Sequence, residues 1–279
     1  MVIKNLIEEK QIEDLQINLL LEGIYEIYGY DFRAYSKPSL KRRLNDLMEE
    51  FNISSHSELQ HKIFYEPNMF YRFTKKISVT VTEMFRDPNF FISLQQKVIP
   101  KLKTYPYFKI WHAGCATGEE VYSMAILLYE NNLLDRAIIY ATDINEHSLK
   151  IAKDGIYPKE HLNKYLENYK KVINTDNFSN YYHEKYNSIK IREFLKNRIT
   201  FASHNLVTDN IFGEMNMIFC RNVLIYFNNE LQNRTLDLFY NSLCNFGYLC
   251  LGTKESLVST SASKRFDKVC ANEKIYRKK

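Results

Sequence analysis

One run of residues carries the clearest chemical potential: Lys109-Ile110-Trp111-His112-Ala113-Gly114-Cys115-Ala116-Thr117-Gly118-Glu119-Glu120. An apolar strand ends there, two glycines four positions apart permit a tight turn, and a helix begins. Such a turn aims backbone N–H groups and the positive end of a helix at a ligand. The spacing is not Gly-x-Gly-x-x-Gly, so the dinucleotide fingerprint is missed. A second element is Ala141-Thr142-Asp143, at the end of the next strand, where a carboxylate can accept both hydroxyls of a ribose. Together they point to an adenosine-containing ligand on a doubly wound sheet; the alternative is a Gly-rich turn beside a helix-capping Asp. Arg86 and Asp87 either serve chemistry or form a simple helix-entry pair. Arg221 follows the apolar strand 216–220, where an unpaired buried charge is costly, so a role at the strand's end is favoured. Cys115 and Cys220 flank this region and read as structural, and His112 reads as packed. Tyr226, one of 21 tyrosines, reads as core on its own residues.

The elements that must position these groups fall into two patterns. Residues 1–86 read as helical. Ile17, Leu20, Leu21, Ile24 and Ile27 follow a 3–4 spacing, and Leu40, Leu44, Leu47, Met48 and Phe51 form a second stripe. Ser36 is expected to cap the second helix, with Pro38 in its first turn. Ser55-His56-Ser57-Glu58 has capping-box spacing and opens a third helix through Leu59 and Ile63. Asp87-Pro88 reads as a cap followed by an N1 proline, starting a linking helix within 87–107. From 108 onward strands and helices alternate. Strands are expected at 108–113, 137–142, 199–203, 215–220 and 247–252, and helices at 118–131, 145–154 and 229–244. That alternation implies a parallel doubly wound sheet. The tail from Phe266 to Tyr276 reads as a hairpin on the sheet's edge. Residues 157–198 break the pattern and are too long for a plain crossover. They are read as an insertion beside the site, with short strands around Tyr181–Lys185 and Ser188–Arg192.

Composition narrows the class. The chain has 279 residues, 45% hydrophobic and 25% charged, which is enough to bury a substantial core and argues against disorder. No apolar run is long enough for a transmembrane helix, and the N-terminal residues lack a signal-peptide core. Five cysteines without CxxC or metal-ligand spacing suggest reduced thiols in a cytoplasmic protein and no metal site. The net charge is +5. Residues 1–31 are acidic, whereas 33–86, 150–200 and 264–279 are each basic. These stretches are either solvated surface or faces for an acidic partner, nucleic acid or a carboxylate-rich protein. Lys41, Arg42 and Arg43 sit at the start of a helix, where its dipole does not favour cations, which suggests a use other than helix stability.

Three motifs in order, TVTEMFRDPNFF, GCATGEEVYS and FCRNVLIYF, with a GxxE beginning at Gly252, resemble the chemotaxis receptor methyltransferase (CheR) family over nearly the whole chain. The resemblance implies an α/β fold: a Rossmann-like class I methyltransferase sheet, a small all-α N-terminal domain over 1–86, and a catalytic domain over 108–279 whose insertion can form a small antiparallel β-subdomain. It implies methyl transfer from S-adenosylmethionine to glutamate side chains of chemoreceptors, leaving S-adenosylhomocysteine. Residue by residue, Thr80, Thr82 and Arg86 would sit at the cofactor and reacting centre. Gly114 and Gly118 belong to the cofactor turn. Glu120 would contact the methionine part, Asp143 the ribose, and Asn205-Leu206 the adenine side. Arg221-Asn222 would line the pocket, and Tyr226 would stand at the transferred methyl. Arg86 and Tyr226 are thus the implied catalytic pair, and the basic helix with Lys41, Arg42 and Arg43 would meet the receptor.

The residue types suit that chemistry. Glu120 and an aromatic ring are good neighbours for a sulfonium. A glutamate with an ordinary pKa of about 4.3 is already an anion, so no general base is required. Thr80 stands where many relatives carry Asn, and Thr253-Lys254-Glu255 replaces a common His-Ser-Glu. The insertion has no glycine between Gly155 and Gly213, so glycine-turned hairpins are not evident, and recognition independent of a receptor C-terminal pentapeptide is expected. A monomer is expected. Two other readings remain: a cofactor-binding adaptor without turnover, and a nucleic-acid methyltransferase. The second is disfavoured because Arg221-Asn222-Val223-Leu224 lacks the proline-containing motif of base-amine methylation.

Overall fold

The computed structural model describes residues 9–78, 82–257 and 260–279. The chain divides into two compact units: Met1–Val79 with Tyr226–Leu231, and Thr80–Ile225 with Gln232–Lys279. The first unit takes in a short stretch from far along the sequence, which no local pattern signals.

In the first unit four helices, α1 (Glu9–Tyr28), α2 (Lys37–Glu50), α3 (His56–Tyr65) and α4 (Pro67–Ile77), enclose a core that includes Leu20, Ile24, Phe32, Leu44, Leu59, Ile63 and Phe73. Their stripes recur at three- and four-residue spacing, so one face of each helix is buried. Ser55 caps α3 as expected, accepting from the Glu58 N–H at 3.2 Å. The Glu58 carboxylate turns back onto Ser54. Ser36 precedes α2 but makes no side-chain cap; its N–H donates to the Tyr226 carbonyl at 2.7 Å. Helix α4, with Pro67 in its first turn, is an element the sequence reading did not resolve.

Two helices, α5 (Pro88–Lys97) and α6 (Ile99–Leu102), occupy the place of the expected single linking helix. A seven-stranded sheet follows, ordered β6 (Ile199–Ser203), β2 (Ala137–Asp143), β1 (Phe108–Ala113), β7 (Met215–Cys220), β8 (Leu243–Leu251), β10 (Ile275–Lys278), β9 (Phe266–Cys270). The first five strands are parallel. The β9–β10 hairpin joins antiparallel at the edge. Strand β8 begins at Leu243, four residues before the expected start. Helices α7 (Glu119–Glu130), α8 (Glu146–Asp154) and α11 (Asn229–Ser242) complete the alternation. Strand β1 has β2 on one side and β7 on the other, which is the switch point where such sheets hold ligands beyond the strands' C-terminal ends.

The insertion is more ordered than its composition suggested. Helix α9 (Leu162–Ile173) occupies its first half, where the sequence reading placed no element. Strands β4 (Tyr182–Lys185) and β5 (Ser188–Ile191) pair antiparallel, β3 (Ile156–Pro158) adds a third strand, and the short α10 (Glu193–Lys196) leads back to the sheet. The β4–β5 turn uses Tyr186 at φ 53° in place of glycine. The strands expected around Tyr181–Lys185 and Ser188–Arg192 are thus present, and their hairpin forms without glycine because a left-handed turn position is costly but not closed to other residues.

Candidate functional site

The loop after β1 turns by alternation of backbone hand. Gly114, Ala116 and Gly118 lie at φ 77°, 48° and 91°. A Cβ on Gly114 would come within 2.6 Å of Val223, and one on Gly118 within 2.9 Å of the Ala152 Cβ. Both glycines are thus required by conformation and by space. The Gly114 and Cys115 N–H groups donate to the Thr142 carbonyl at 2.8 and 2.9 Å.

Asp143 closes the cradle from the end of β2. Its Oδ2 accepts from the Ala116 N–H at 2.8 Å and its Oδ1 from the Asn145 N–H at 2.8 Å. Burial raises its pKa, against these backbone bonds, which favour the anion. The neighbouring strand β6 leads to Asn205 and Leu206. The His204 N–H donates to the Asp143 carbonyl at 3.3 Å, and Leu206 is buried. The Asn205 side chain is occupied locally, accepting from the Val207 N–H at 2.9 Å.

A second cluster lies at the end of β7. The Arg221 side chain is 1% exposed, and its guanidinium donates to Glu120 at 2.8 Å and to Asp87 at 2.7 Å. It also lies 3.9 Å from the centroid of the Phe90 ring. Glu120 faces His112 Nδ1 at 3.3 Å as well. Arg221 and His112 hold the Glu120 carboxyl below its usual pKa despite burial. One expectation changes here. Asp87 holds the N-cap position of α5, but it sits at φ 58°, makes no side-chain cap bond, and spends its carboxylate on Arg221. Arg221 is held at the end of β7 by two carboxylates.

The turn after Arg221 hangs on Glu255, the acid of the GxxE motif. Its carboxylate accepts from the N–H groups of Asn222 (3.0 Å), Val223 (2.8 Å) and Gly252 (2.5 Å). Asn222 lies at φ 62°. The sequence marked Glu255 but gave no hint that it would satisfy backbone donors from two loops.

Arg86 and Thr82 lie half-buried in the segment before α5, and Thr80 falls outside the described residues. Tyr226 belongs to the helical unit, where the Arg43 guanidinium lies 4.4 Å from its ring centroid. Arg43 is 7% exposed and donates to the Ile77 carbonyl. Lys41 pairs with Glu13. The reading of Lys41, Arg42 and Arg43 as one outward basic patch is therefore corrected: only Arg42 is exposed, because helix period sends Arg43 inward beside Leu44.

Sequence reasoning missed Glu119. It is 5% exposed, accepts from Thr117 Oγ1 at 2.6 Å and from the Tyr165 hydroxyl at 3.4 Å, and burial pushes its pKa up to about 7. Cys115 and Cys220 are buried, with their thiol pKa values raised well above the ordinary range by desolvation, which fits structural roles. His112 is buried and stacks on Phe219 with centroids 4.2 Å apart.

A parallel sheet with a Gly-rich turn after its first strand and an acid at the end of its second defines a class I methyltransferase scaffold. Residues 80–275 match the family described as "CheR methyltransferase, SAM binding domain", and residues 15–78 match "CheR methyltransferase, all-alpha domain". The chain belongs to the CheR methyltransferase family. It is 47% identical over 265 residues to "Putative methyltransferase Cher3" of Pseudomonas putida, covering 95% of this chain and 97% of that protein. It is 31% identical over 245 residues to the "Chemotaxis protein methyltransferase" of Vibrio anguillarum, covering 85% and 86%. A Borreliella burgdorferi protein of the same description is 29% identical over 262 residues, covering 87% and 88%. The chain is thus a methyltransferase with an S-adenosylmethionine-binding domain. Among the described residues no helix is long and apolar enough to cross a membrane.

Proposed function

We propose that the protein transfers a methyl group from S-adenosylmethionine to glutamate side chains on the cytoplasmic helices of chemoreceptors. The observation that carries this reading is the cradle itself. The turn from Gly114 to Gly118 brings its backbone against the Asp143 carboxylate at the sheet's switch point. The donor set fits an adenosine: a carboxylate for the ribose, and Asn205-Leu206 beyond the adjoining strand for the base. S-adenosylmethionine supplies an electrophilic methyl on a positively charged sulfur. A glutamate oxygen forms the new C–O bond as the C–S bond breaks, the electron pair stays on sulfur, and no proton moves.

The chain's own residues then have limited tasks. Arg86 holds the incoming carboxylate by one fork without pairing it so tightly that its nucleophilicity falls. Tyr226 presents a ring to the charged methyl region. Arg221, Glu120 and Asp87 supply a fixed electrostatic frame that needs no reorganisation. Because the reacting charges neutralise each other, exclusion of water favours transfer. On the helical unit, Lys37, Arg42, Arg72 and Lys75 are exposed cations suited to acidic receptor helices. The protein acts in the cytoplasm, as a monomer.

The test is transfer of labelled methyl from S-adenosylmethionine to cytoplasmic receptor fragments of the same organism. Alkali-labile label on glutamate is the expected result, with Arg86→Ala and Tyr226→Phe lowering kcat more than cofactor affinity. Cofactor binding by calorimetry without any label would overturn the reading in favour of an adaptor.

A further inference from the structure

The segment that carries Arg86 is held in an unfavourable shape. Phe85 lies at φ 52° and Asp87 at φ 58°, so left-handed residues flank Arg86 on both sides. For side chains other than glycine each such position is sterically unfavourable. Surrounding contacts must impose it. The Phe85 N–H donates to Ser123 Oγ at 2.8 Å, and that hydroxyl in turn donates to the Glu119 carbonyl at 2.6 Å. The Met84 carbonyl accepts from Asn168 Nδ2 at 3.1 Å. Ser123 is fully buried and Asn168 is 2% exposed. The Phe85 ring packs against Phe91 and Tyr169 with centroids 5.1 and 5.5 Å apart. Asp87 is tied to Arg221.

Asn168 and Tyr169 come from α9, the helix of the insertion. A polar amide buried in the middle of a helix has no packing reason to be there, since an apolar residue of its size would avoid the desolvation cost. Its only hydrogen bond among those of the described side chains goes to the Met84 carbonyl, two residues before Arg86.

We infer that Ser123 and Asn168 are positioning residues for methyl transfer: a clamp from α7 and from the insertion's α9 that fixes the left-handed turns around Arg86 and so aims its guanidinium. The inference rests on the proposed role of Arg86. The insertion is then part of the reacting centre's framework and not only an appendage beside it.

The experiment is a double-mutant cycle on the full chain, scored by transfer of labelled methyl to receptor fragments, with S-adenosylhomocysteine affinity and thermal unfolding measured alongside. Asn168→Leu and Ser123→Ala should each lower kcat by about tenfold to a hundredfold, the size of effect expected when a reacting group is displaced by about an ångström. In an Arg86→Ala background each should cost less than about twofold. A structural role alone would reduce activity equally in both backgrounds, and that additivity would overturn the inference. Ser123→Ala removes one hydroxyl only and keeps the test alive should Asn168→Leu fold poorly. If Arg86→Ala itself leaves transfer unchanged, the proposed role of Arg86 fails and the inference falls with it. If Arg86→Ala is impaired while both clamp variants turn over normally, the inference alone fails.

Discussion

Glu119 and Glu120 are neighbours at the start of α7, yet they enter two regions of opposite electrostatic character. Glu120 faces the sheet side, where Arg221 and His112 meet it and keep it anionic. Glu119 faces the insertion side, where the hydroxyls of Thr117 and Tyr165 are its partners and its pKa rises to about 7. Burial alone would raise both. The difference is a guanidinium, and it shows that the insertion side offers neutral donors where the sheet side offers full charge.

The largest test of the contrast is Arg221→Met. The variant keeps bulk against Phe90 but leaves two carboxylates facing each other without their cation. Breaking a buried pair from one side costs about 3–5 kcal/mol. Chemical denaturation should show a loss of that size, together with weaker S-adenosylhomocysteine binding. A loss below about 1 kcal/mol would mean the cluster is well solvated.

Next in size is the pH dependence set by Glu119. Its folded pKa of about 7 lies above the ordinary 4.5, so the folded state holds a proton that the unfolded chain has released. Its contribution is present in full below pH 4.5, is lost progressively as pH rises towards 7, and stays lost above that. The shift corresponds to about 3 kcal/mol. Glu119→Gln keeps both hydrogen-bond partners and should remove this decline, so that unfolding curves of variant and native protein diverge between pH 5 and 8, with the variant more stable at the alkaline end. Glu120 has the opposite sign. Its lowered pKa gives stability present above the ordinary value and lost as pH falls through the folded one.

The smallest effect should come from Tyr165→Phe, which removes the long hydroxyl contact to Glu119. About 1 kcal/mol is expected, with a further rise in the Glu119 pKa. The effect on pH dependence should vanish in the Glu119→Gln background. Persistence there would assign Tyr165 to packing alone.

Much of this was legible in the sequence because it is written in local rules. The parallel strands show as short apolar runs, the cofactor turn as two spaced glycines, and the α3 cap as Ser55 followed by Glu58. What was not legible depends on partners distant in the chain. Asp87 before Pro88 has the residue types of a cap, but Arg221 lies 134 positions away and claims the carboxylate. Arg43 sits among cations, yet its helical phase sends it inward. Helix α9 was hidden by its Asn, Lys and Tyr content, since Leu162 and Val172 are the aliphatic residues of a buried face otherwise built from Tyr165, Asn168 and Tyr169. The β4 and β5 strands were legible, but the turn between them gave no signal because Tyr186 and not glycine takes its left-handed position.

The six residues from Tyr226 to Leu231 that belong to the helical unit bear on heredity and engineering alike. A module that is contiguous in the gene can be cut, copied and grafted by one recombination at each end. This one cannot. A transplanted fragment ending at residue 79 would leave behind the backbone pairing of Tyr35 with Phe227 and the ring beneath Arg43. Any hybrid that exchanges the helical unit must therefore carry residues 226–231 with it, and substitutions in that loop are inherited as part of a unit encoded some 150 codons upstream.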